Sequence, residues 1–192
     1  KLHISSINFK LRHICVFSIK KLMKLKKNLV LLGMMGSGKS TIGRLISKKL
    51  SQKFIDIDNI IEEETNMKIN EIFLKKGEIF FRNLEEKITL KLLSNYNVII
   101  CLGGGAFIND RIRKEVLKNN LSFWLNWNTY TLLDRIKNSK KRPIAFNLSE
   151  TKLIELIANR SKIYSKAKFK INCQKLSKTE ITKKIITLYE KN

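Results

Sequence analysis

The sequence predicts an α/β fold in which a five-stranded parallel β-sheet lies between two layers of helices. After Lys27, short apolar runs alternate with segments whose apolar residues recur at helical spacing, the pattern of βα units in a parallel sheet. The first run, at 28–32, is continuously apolar after its first residue, as strands buried on both faces are. With 192 residues, 43% apolar and 29% charged, the chain has the size and composition of one globular domain.

The apolar runs predict the strands in order, and the amphipathic segments between them predict the helices. In the first helix, Ile42, Leu45, Ile46 and Leu50 fall on one face, which marks a helix packed against a core. The strands are predicted at 28–32, 54–57, 98–102, 123–125 and 169–171. The helices are predicted at 41–50, 59–65, 70–75, 78–94, 110–118, 129–137, 151–164 and 179–189.

Residues 1–27 differ from the rest of the chain because they hold eight lysines and arginines and no acidic residue. Such a segment is compatible with an organellar targeting peptide. An upstream extension is favoured, because Met23 begins a short basic stretch that leads directly into the first strand. We therefore expect residues 1–22 to be a basic N-terminal extension outside the fold, and residues 23–192 to form the domain.

The net charge of +23 makes nucleic-acid binding the first class of function to consider. The lysines, however, are spread over the polar faces of predicted helices, without an arginine-rich stripe or the aromatic platform of single-strand binding surfaces. A solvated basic surface that attracts anionic substrates is therefore the favoured interpretation. We expect no nucleic-acid partner.

Histidine and cysteine usage narrows the chemistry further. Both histidines, His3 and His13, precede the predicted domain, which excludes a Ser-His-Asp triad or a histidine-ligated metal there. Cys15, Cys101 and Cys173 have neither zinc-site nor disulfide spacing, so a reducing, cytoplasmic compartment is expected. Since no apolar run approaches the ~20 residues of a membrane-spanning helix, no membrane partner is expected.

The clearest motif is Gly-Met-Met-Gly-Ser-Gly-Lys-Ser at 33–40, which matches the phosphate-binding pattern G-x-x-x-x-G-K-S. It follows an apolar strand and opens an amphipathic helix, so glycine backbone N–H groups and the positive helix end can face phosphate oxygens. Lys39 is predicted to reach the β- and γ-phosphates of ATP, and Ser40 to offer its hydroxyl to Mg²⁺. The predicted ATP contacts here are Gly36, Ser37, Gly38, Lys39, Ser40 and Thr41.

Two acidic residues lie at the end of the second predicted strand, where ligands bind in open α/β sheets. Strand alternation would send the carboxylates of Asp56 and Asp58 to the same side. One could hold Mg²⁺ through water while the other accepts a proton from a substrate hydroxyl. Alternatively, both aspartates could cap the following helix. The local pattern leaves these two interpretations equally open.

Two further features follow along the chain. Arg82 and Glu85 fall on one helix face, either as a surface ion pair or as an arginine directed by Glu85 at an anionic ligand. Directly after the third strand come Gly103, Gly104 and Gly105. Three glycines in succession favour a loop that a ligand approaches closely over a plain tight turn.

Three later arginines are candidate anion ligands, although each could equally be a solvated charge. They are Arg135, Arg142 and Arg160. Arg142 precedes Pro143, the single proline of the chain, in a polar loop at 139–148. A closing loop could bring this arginine over the phosphates and stabilise the transferred charge.

Taken together, these motifs resemble the shikimate kinase family over about residues 28–191. The matching motifs occur in the family's order: G-x-x-G-x-G-K-S-T at 33–41, D-x-D at 56–58, F-R-x-x-E at 81–85, G-G-G at 103–105 and R-P at 142–143. Arg160 and Tyr164 fit the family's later R-x-x-x-Y stretch. Ile144, Lys162 and the proline-free stretch around Ser177 and Lys178 depart from the family pattern.

The resemblance implies transfer of the ATP γ-phosphate to the 3-hydroxyl of shikimate, in chorismate and aromatic amino acid biosynthesis. It implies a three-layer P-loop kinase of nucleoside-monophosphate-kinase type, with Mg²⁺ as cofactor and a monomer as the usual state. The loop at 139–148 corresponds to the mobile lid, and residues 56–85 to the substrate-binding helical region.

The resemblance also implies a role for each site residue. Asp58 bonds the ring hydroxyls and is the base or orienting group. Lys39 and Arg142 neutralise phosphate charge, and Arg135 packs on adenine. The remaining implied contacts are Arg82 and Arg160 to the shikimate carboxylate, Gly104 and Gly105 to the ring, Phe73 and Phe81 to its apolar part, and Ser40 and Asp56 to magnesium.

Three other functions are weighed against this one. A kinase for gluconate or a nucleotide would keep the phosphate loop without needing the three acceptor motifs together. A catalytically silent relative would be expected to lack Lys39, Asp58 or Arg142, all of which are present. A basic nucleic-acid-binding ATPase would show nucleic-acid-stimulated turnover that falls steeply with salt.

Overall fold

The computed structural model describes residues 27–138 and 148–192. In chain order, its strands are β1 Leu29–Leu32, β2 Phe54–Asp56, β3 Ile99–Cys101, β4 Leu121–Asn126 and β5 Phe169–Asn172. The α-helices in this part of the chain are α1 Lys39–Leu50, α2 Ile57–Thr65, α3 Ile69–Leu93, α4 Asp110–Asn119, α5 Thr129–Lys137, α6 Glu150–Tyr164 and α7 Lys178–Glu190. The N-terminal segment 1–22 and the proposed lid residues 139–147 lie outside the described residues.

All five strands are parallel, in the order β2-β3-β1-β4-β5. β1 lies in the centre, where Leu29 pairs with Ile99 on one side and with Leu121 on the other. Each crossover between neighbouring strands contains helix, as parallel pairing requires. The predicted five-stranded parallel sheet is therefore confirmed.

The core has two parts, one on each face of the sheet. Successive residues of β1 enter different clusters: Leu29 and Leu31 pack on one side, and Val30 and Leu32 on the other. This is the period of two that a strand imposes on its side chains. Helices α1 and α7 cover the first face, and the apolar residues of α2 to α6 cover the second. The helical layers follow directly from this double burial.

The boundary predicted between the second strand and the following helix was wrong, because Ile57 begins helix α2 instead of ending a strand. The two helices predicted at 70–75 and 78–94 are confirmed. They are the two parts of α3, which is kinked at Gly77, where the backbone is not helical (φ 80°, ψ 168°). Because this left-handed φ favours glycine, the chain changes direction at this residue.

A buried asparagine, Asn28, links several elements at the edge of the sheet where the strands begin. The side-chain Nδ2 of Asn28 lies 3.0 Å from Leu93 O, 2.7 Å from Asn95 O and 2.8 Å from Asn120 Oδ1. Its Oδ1 accepts from the backbone N–H of Val98 at 3.3 Å. One side chain therefore joins the end of α3 to the starts of β1, β3 and β4.

Within residues 27–138 and 148–192, no helix is both long enough and apolar enough to cross a bilayer.

Replacing Asn28 should destabilise the domain without altering the opposite edge of the sheet, where the strands end. In Asn28→Ala, several buried backbone groups lose their partners, and each such group costs about 1–3 kcal/mol. We expect urea unfolding to show a loss of about 2–4 kcal/mol in the free energy of unfolding. The matched control is Asn119→Ala on an exposed part of α4, expected to change it by less than about 0.5 kcal/mol. Equal effects of the two variants would contradict the role of Asn28.

Candidate active site

The loop between β1 and α1 has the geometry of a phosphate cradle. Gly33, Gly36 and Gly38 have φ values of 144°, 80° and 86°, which residues with side chains rarely adopt. Gly38 is the N-cap of α1, so the positive end of the helix dipole opens into the loop. The backbone therefore supplies a site for an anion at the position that the motif predicted.

Lys39 reaches back across this loop. Its Nζ donates to the carbonyl oxygens of Gly33 at 2.9 Å and Met34 at 3.1 Å. The ammonium group therefore lies inside the loop, close to the space that phosphate oxygens would fill.

Ser40 and Asp56 bring two oxygen ligands together beside the phosphate loop. Ser40 Oγ donates to Asp56 Oδ2 at 2.6 Å. A hydroxyl and a carboxylate are hard oxygen donors of the kind that Mg²⁺ prefers, and Mg²⁺ needs few protein ligands because it keeps several waters. The residues present therefore fit the expected metal.

The two aspartates do not both lie on a strand, as the alternation argument assumed. β2 ends at Asp56, and Asp58 lies in the first turn of α2. Asp56 Oδ1 accepts from the backbone N–H of Asp58 at 3.3 Å, so Asp56 also caps the helix. Both carboxylates nevertheless line one cavity of about 280 Å³ with Lys39, Ser40 and Gly104. The capping and cavity interpretations are thus compatible.

Arg82 and Glu85 are not a surface ion pair. Arg82 Nη1 donates to Glu85 Oε2 at 2.7 Å, and the Glu85 side chain is only 3% exposed. Burial raises the pKa of Glu85, and the charge and hydrogen bond of Arg82 oppose this rise. Glu78 holds the guanidinium from a second direction, through Nε at 3.1 Å. Since both carboxylates fix Arg82, its orientation is set by the fold.

Aromatic rings add to this fixation. The guanidinium carbon of Arg82 lies 5.1 Å from the ring centroid of Phe81 and 5.9 Å from that of Phe73. The two rings contact each other, with centroids 4.6 Å apart. In this structure, Phe73 and Phe81 therefore support the arginine.

Charged side chains pack closely over two of the three glycines after β3, Gly103 and Gly105. A Cβ at Gly103 would come within 3.0 Å of carboxylate oxygens of Glu85 and Asp58. A Cβ at Gly105 would come within 3.0 Å of the guanidinium of Arg82. The loop therefore brings Asp58, Glu85 and Arg82 together from two different helices.

Arg160 reaches the same loop from α6. Its Nη1 donates to the carbonyl of Gly104 at 3.1 Å, and the hydroxyl of Tyr164 donates to the same oxygen. Burial raises the pKa of Tyr164 to about 12, so this hydroxyl stays protonated and remains a donor at neutral pH. Two arginines and one aspartate thus converge on the glycine loop, next to the phosphate cradle.

A second cavity, of about 500 Å³, adjoins the phosphate loop on the side of α7. Arg135 lines it and lies 3.8 Å above the ring of Trp127. Trp127 itself also lines the cavity, and the rest of the lining comprises Gly36, Ser37, Gly38, Thr41, Ile42, Leu176, Ser177, Lys178 and Ile181. Sequence reasoning identified Arg135 but missed Trp127, whose signal was an aromatic residue directly after β4.

The remaining predicted site residue is Arg142. It lies, with Pro143 and most of the predicted lid, outside the described residues. Its role therefore stays a prediction.

Comparison with known proteins gives a consistent result. The family model described as shikimate kinase matches residues 35–190. The shikimate kinase of Sulfurihydrogenibium sp. is 39% identical over 161 residues, which are 84% of this chain and 96% of that protein. The shikimate kinase of Bacillus subtilis is 40% identical over 167 residues, 84% of this chain and 88% of that protein.

Solved structures agree with the sequence relatives. The shikimate kinase from Acinetobacter baumannii in complex with shikimate superposes with a TM-score of 0.82 at 30% identity, covering 90% of this chain and 97% of that one. A deoxyadenosine kinase from M. mycoides, at a TM-score of 0.58 and 21% identity over 85% of this chain and 99% of that one, shares the fold alone. The family model matches most of the length of this chain, and a curated shikimate kinase is 39% identical to it. This chain therefore belongs to the shikimate kinase family.

Proposed function

We propose that this chain transfers the γ-phosphoryl group of ATP to the 3-hydroxyl of shikimate, yielding shikimate 3-phosphate and ADP in aromatic amino acid biosynthesis. The observation that carries the proposal is the convergence of Asp58, Arg82 and Arg160 on the glycine loop, beside the phosphate cradle. Relatives that share 35–40% of their residues with this chain are named shikimate kinases.

The acceptor half of the site suits a small carboxylate that carries several hydroxyls. Arg82 and Arg160 bind the carboxylate, because guanidinium forks match the two oxygens of a carboxylate. Asp58 orients the 3-hydroxyl and accepts its proton. Gly104 and Gly105 allow the ring to approach the backbone. Glu85, already buried against Arg82, keeps that guanidinium in position.

The donor half binds the phosphates at residues 36–41. As the O–P bond to the 3-oxygen forms, the bond between the γ-phosphorus and the β–γ bridging oxygen breaks, and ADP leaves. Lys39 and Arg142 neutralise the charge on the transferred group. Ser40 directly and Asp56 through water would hold Mg²⁺, whose positive charge would help to neutralise the phosphates. Positioning and charge neutralisation dominate such reactions, so a strong base is not needed.

The surroundings of the reaction belong to the same proposal. We infer a cytoplasmic monomer that works on small molecules without a nucleic-acid or membrane partner. The surplus of lysines suits this function, because a positive surface concentrates anionic substrates near the site.

The first test measures ADP release with Mg·ATP, with and without shikimate. Shikimate should stimulate turnover strongly, and Asp58→Asn should lower kcat by about 100-fold or more, because general-base contributions are of this size. Asp134→Asn, on an exposed part of α5, is the matched control and should behave as the unaltered chain. A folded, ATP-binding protein that shikimate does not stimulate would contradict the proposed acceptor.

A second prediction concerns the carboxylate contact. Arg82→Ala should lower kcat/KM for shikimate by about 10- to 100-fold, the value of one hydrogen bond to a charged group, with little change in KM for ATP. Arg111→Ala removes an exposed arginine that also forms an ion pair, with Glu86, and should leave both constants within about twofold. The assignment fails if the two variants have the same kinetics.

The glycine loop gives a third prediction. In Gly105→Ala the added Cβ would displace the guanidinium of Arg82, a flexible end that can move without unfolding the domain. We expect KM for shikimate to rise about tenfold while the melting temperature and KM for ATP stay near their original values. An unchanged KM for shikimate would show that Arg82 does not bind the substrate in the orientation seen here.

A further inference from the structure

Trp127 and Arg135 form a stacked pair at the wall of the 500 Å³ cavity. The guanidinium carbon lies 3.8 Å from the centroid of the indole ring, which is the separation of two planar groups in contact. Arg135 follows Trp127 by eight residues, so the strand-to-helix turn at β4 and α5 brings them together.

The indole is itself fixed to the phosphate loop. Its Nε1–H donates to the carbonyl of Ser37 at 2.9 Å, in the loop that contains the predicted phosphate contacts. Arg135 Nη1 approaches the carbonyl of Gly36 at 3.4 Å. The stacked pair is thus joined at two neighbouring points to the backbone that faces the nucleotide phosphates.

The pair leaves one face of the guanidinium for a ligand. The indole covers one planar face of Arg135, and Arg135 also lines the cavity. The apolar side chains of Leu176 and Ile181 line the same cavity. A flat aromatic base fits such a slot, because guanidinium planes and apolar walls both pack against the faces of planar rings.

We propose that Trp127 is a positioning residue for the nucleotide base. It holds the guanidinium of Arg135 against the cavity wall and joins the stacked pair to the phosphate loop. The base and the phosphates of one nucleotide can therefore bind at the same time. It acts through Arg135, not by chemistry on the substrate. The inference rests on the nucleotide half of the proposed function and is independent of the acceptor.

The test measures ADP binding by titration calorimetry without shikimate. Trp127→Leu removes the platform and should weaken ADP binding by about fivefold or more, within the range that a cation–π contact supplies. Trp127→Phe keeps a ring under the guanidinium and should stay within about threefold of the unaltered chain. KM for shikimate should stay within about twofold in both variants, since Arg82 and Arg160 lie on other elements.

A double variant separates positioning from a general structural role. If Trp127 acts through Arg135, the Trp127→Leu and Arg135→Ala double variant should bind ADP about as weakly as Arg135→Ala alone, because coupled residues are not additive. An unchanged affinity in Trp127→Leu would overturn the inference. So would a double variant in which the two losses add in full.

Fluorescence provides a readout should Trp127→Leu fail to fold. The chain has two tryptophans, so Trp124→Phe leaves Trp127 as the sole reporter. Its emission should change on ADP addition, and adding Arg135→Ala should abolish that change. An emission that ADP does not alter, in a protein that binds ADP, overturns the inference. Loss of ADP binding by the unaltered chain would instead refute the nucleotide site itself.

Discussion

The parallel direction of all five strands is the constraint on which the candidate site depends. Parallel strands place their carboxyl ends at one edge of the sheet, so the loops after β1, β2, β3 and β4 open on the same side. The ends of these strands and the segments that follow them provide the phosphate cradle, Asp56, the glycine run and Trp127. Residues ninety positions or more apart in the chain, such as Ser37 and Trp127, therefore become neighbours.

Within that edge, the burial of charge determines how precisely the acceptor residues are held. Glu85 is almost completely buried, and a buried carboxylate is costly unless it is paired. Arg82 supplies the pair, and the absence of side chains at Gly103 and Gly105 gives both groups room. The guanidinium is thereby oriented before any ligand arrives, which lowers the entropy that binding must overcome.

The phosphate side uses fixed dipoles and nearby charges in the same way. The start of α1, the ammonium of Lys39 and the Ser40–Asp56 pair surround one cavity. Folding thus gathers these groups around the cavity, and groups placed in advance stabilise charge with little reorganisation. The strongly positive chain adds a long-range attraction for two anionic substrates.

The sequence by itself determined the alternating strands and helices, the phosphate loop and the acceptor motifs, because each is written in adjacent residues or in a short period. It could not decide whether the Arg82–Glu85 pair was buried, and it did not show that Asp58 lies in the first turn of a helix. The reason for glycine at positions 103 and 105 and the stack of Trp127 on Arg135 also came only from the tertiary structure. These features depend on which side chains the packed elements bring against one another, and no local pattern encodes a contact such as that between Arg160 and Gly104, fifty-six residues apart.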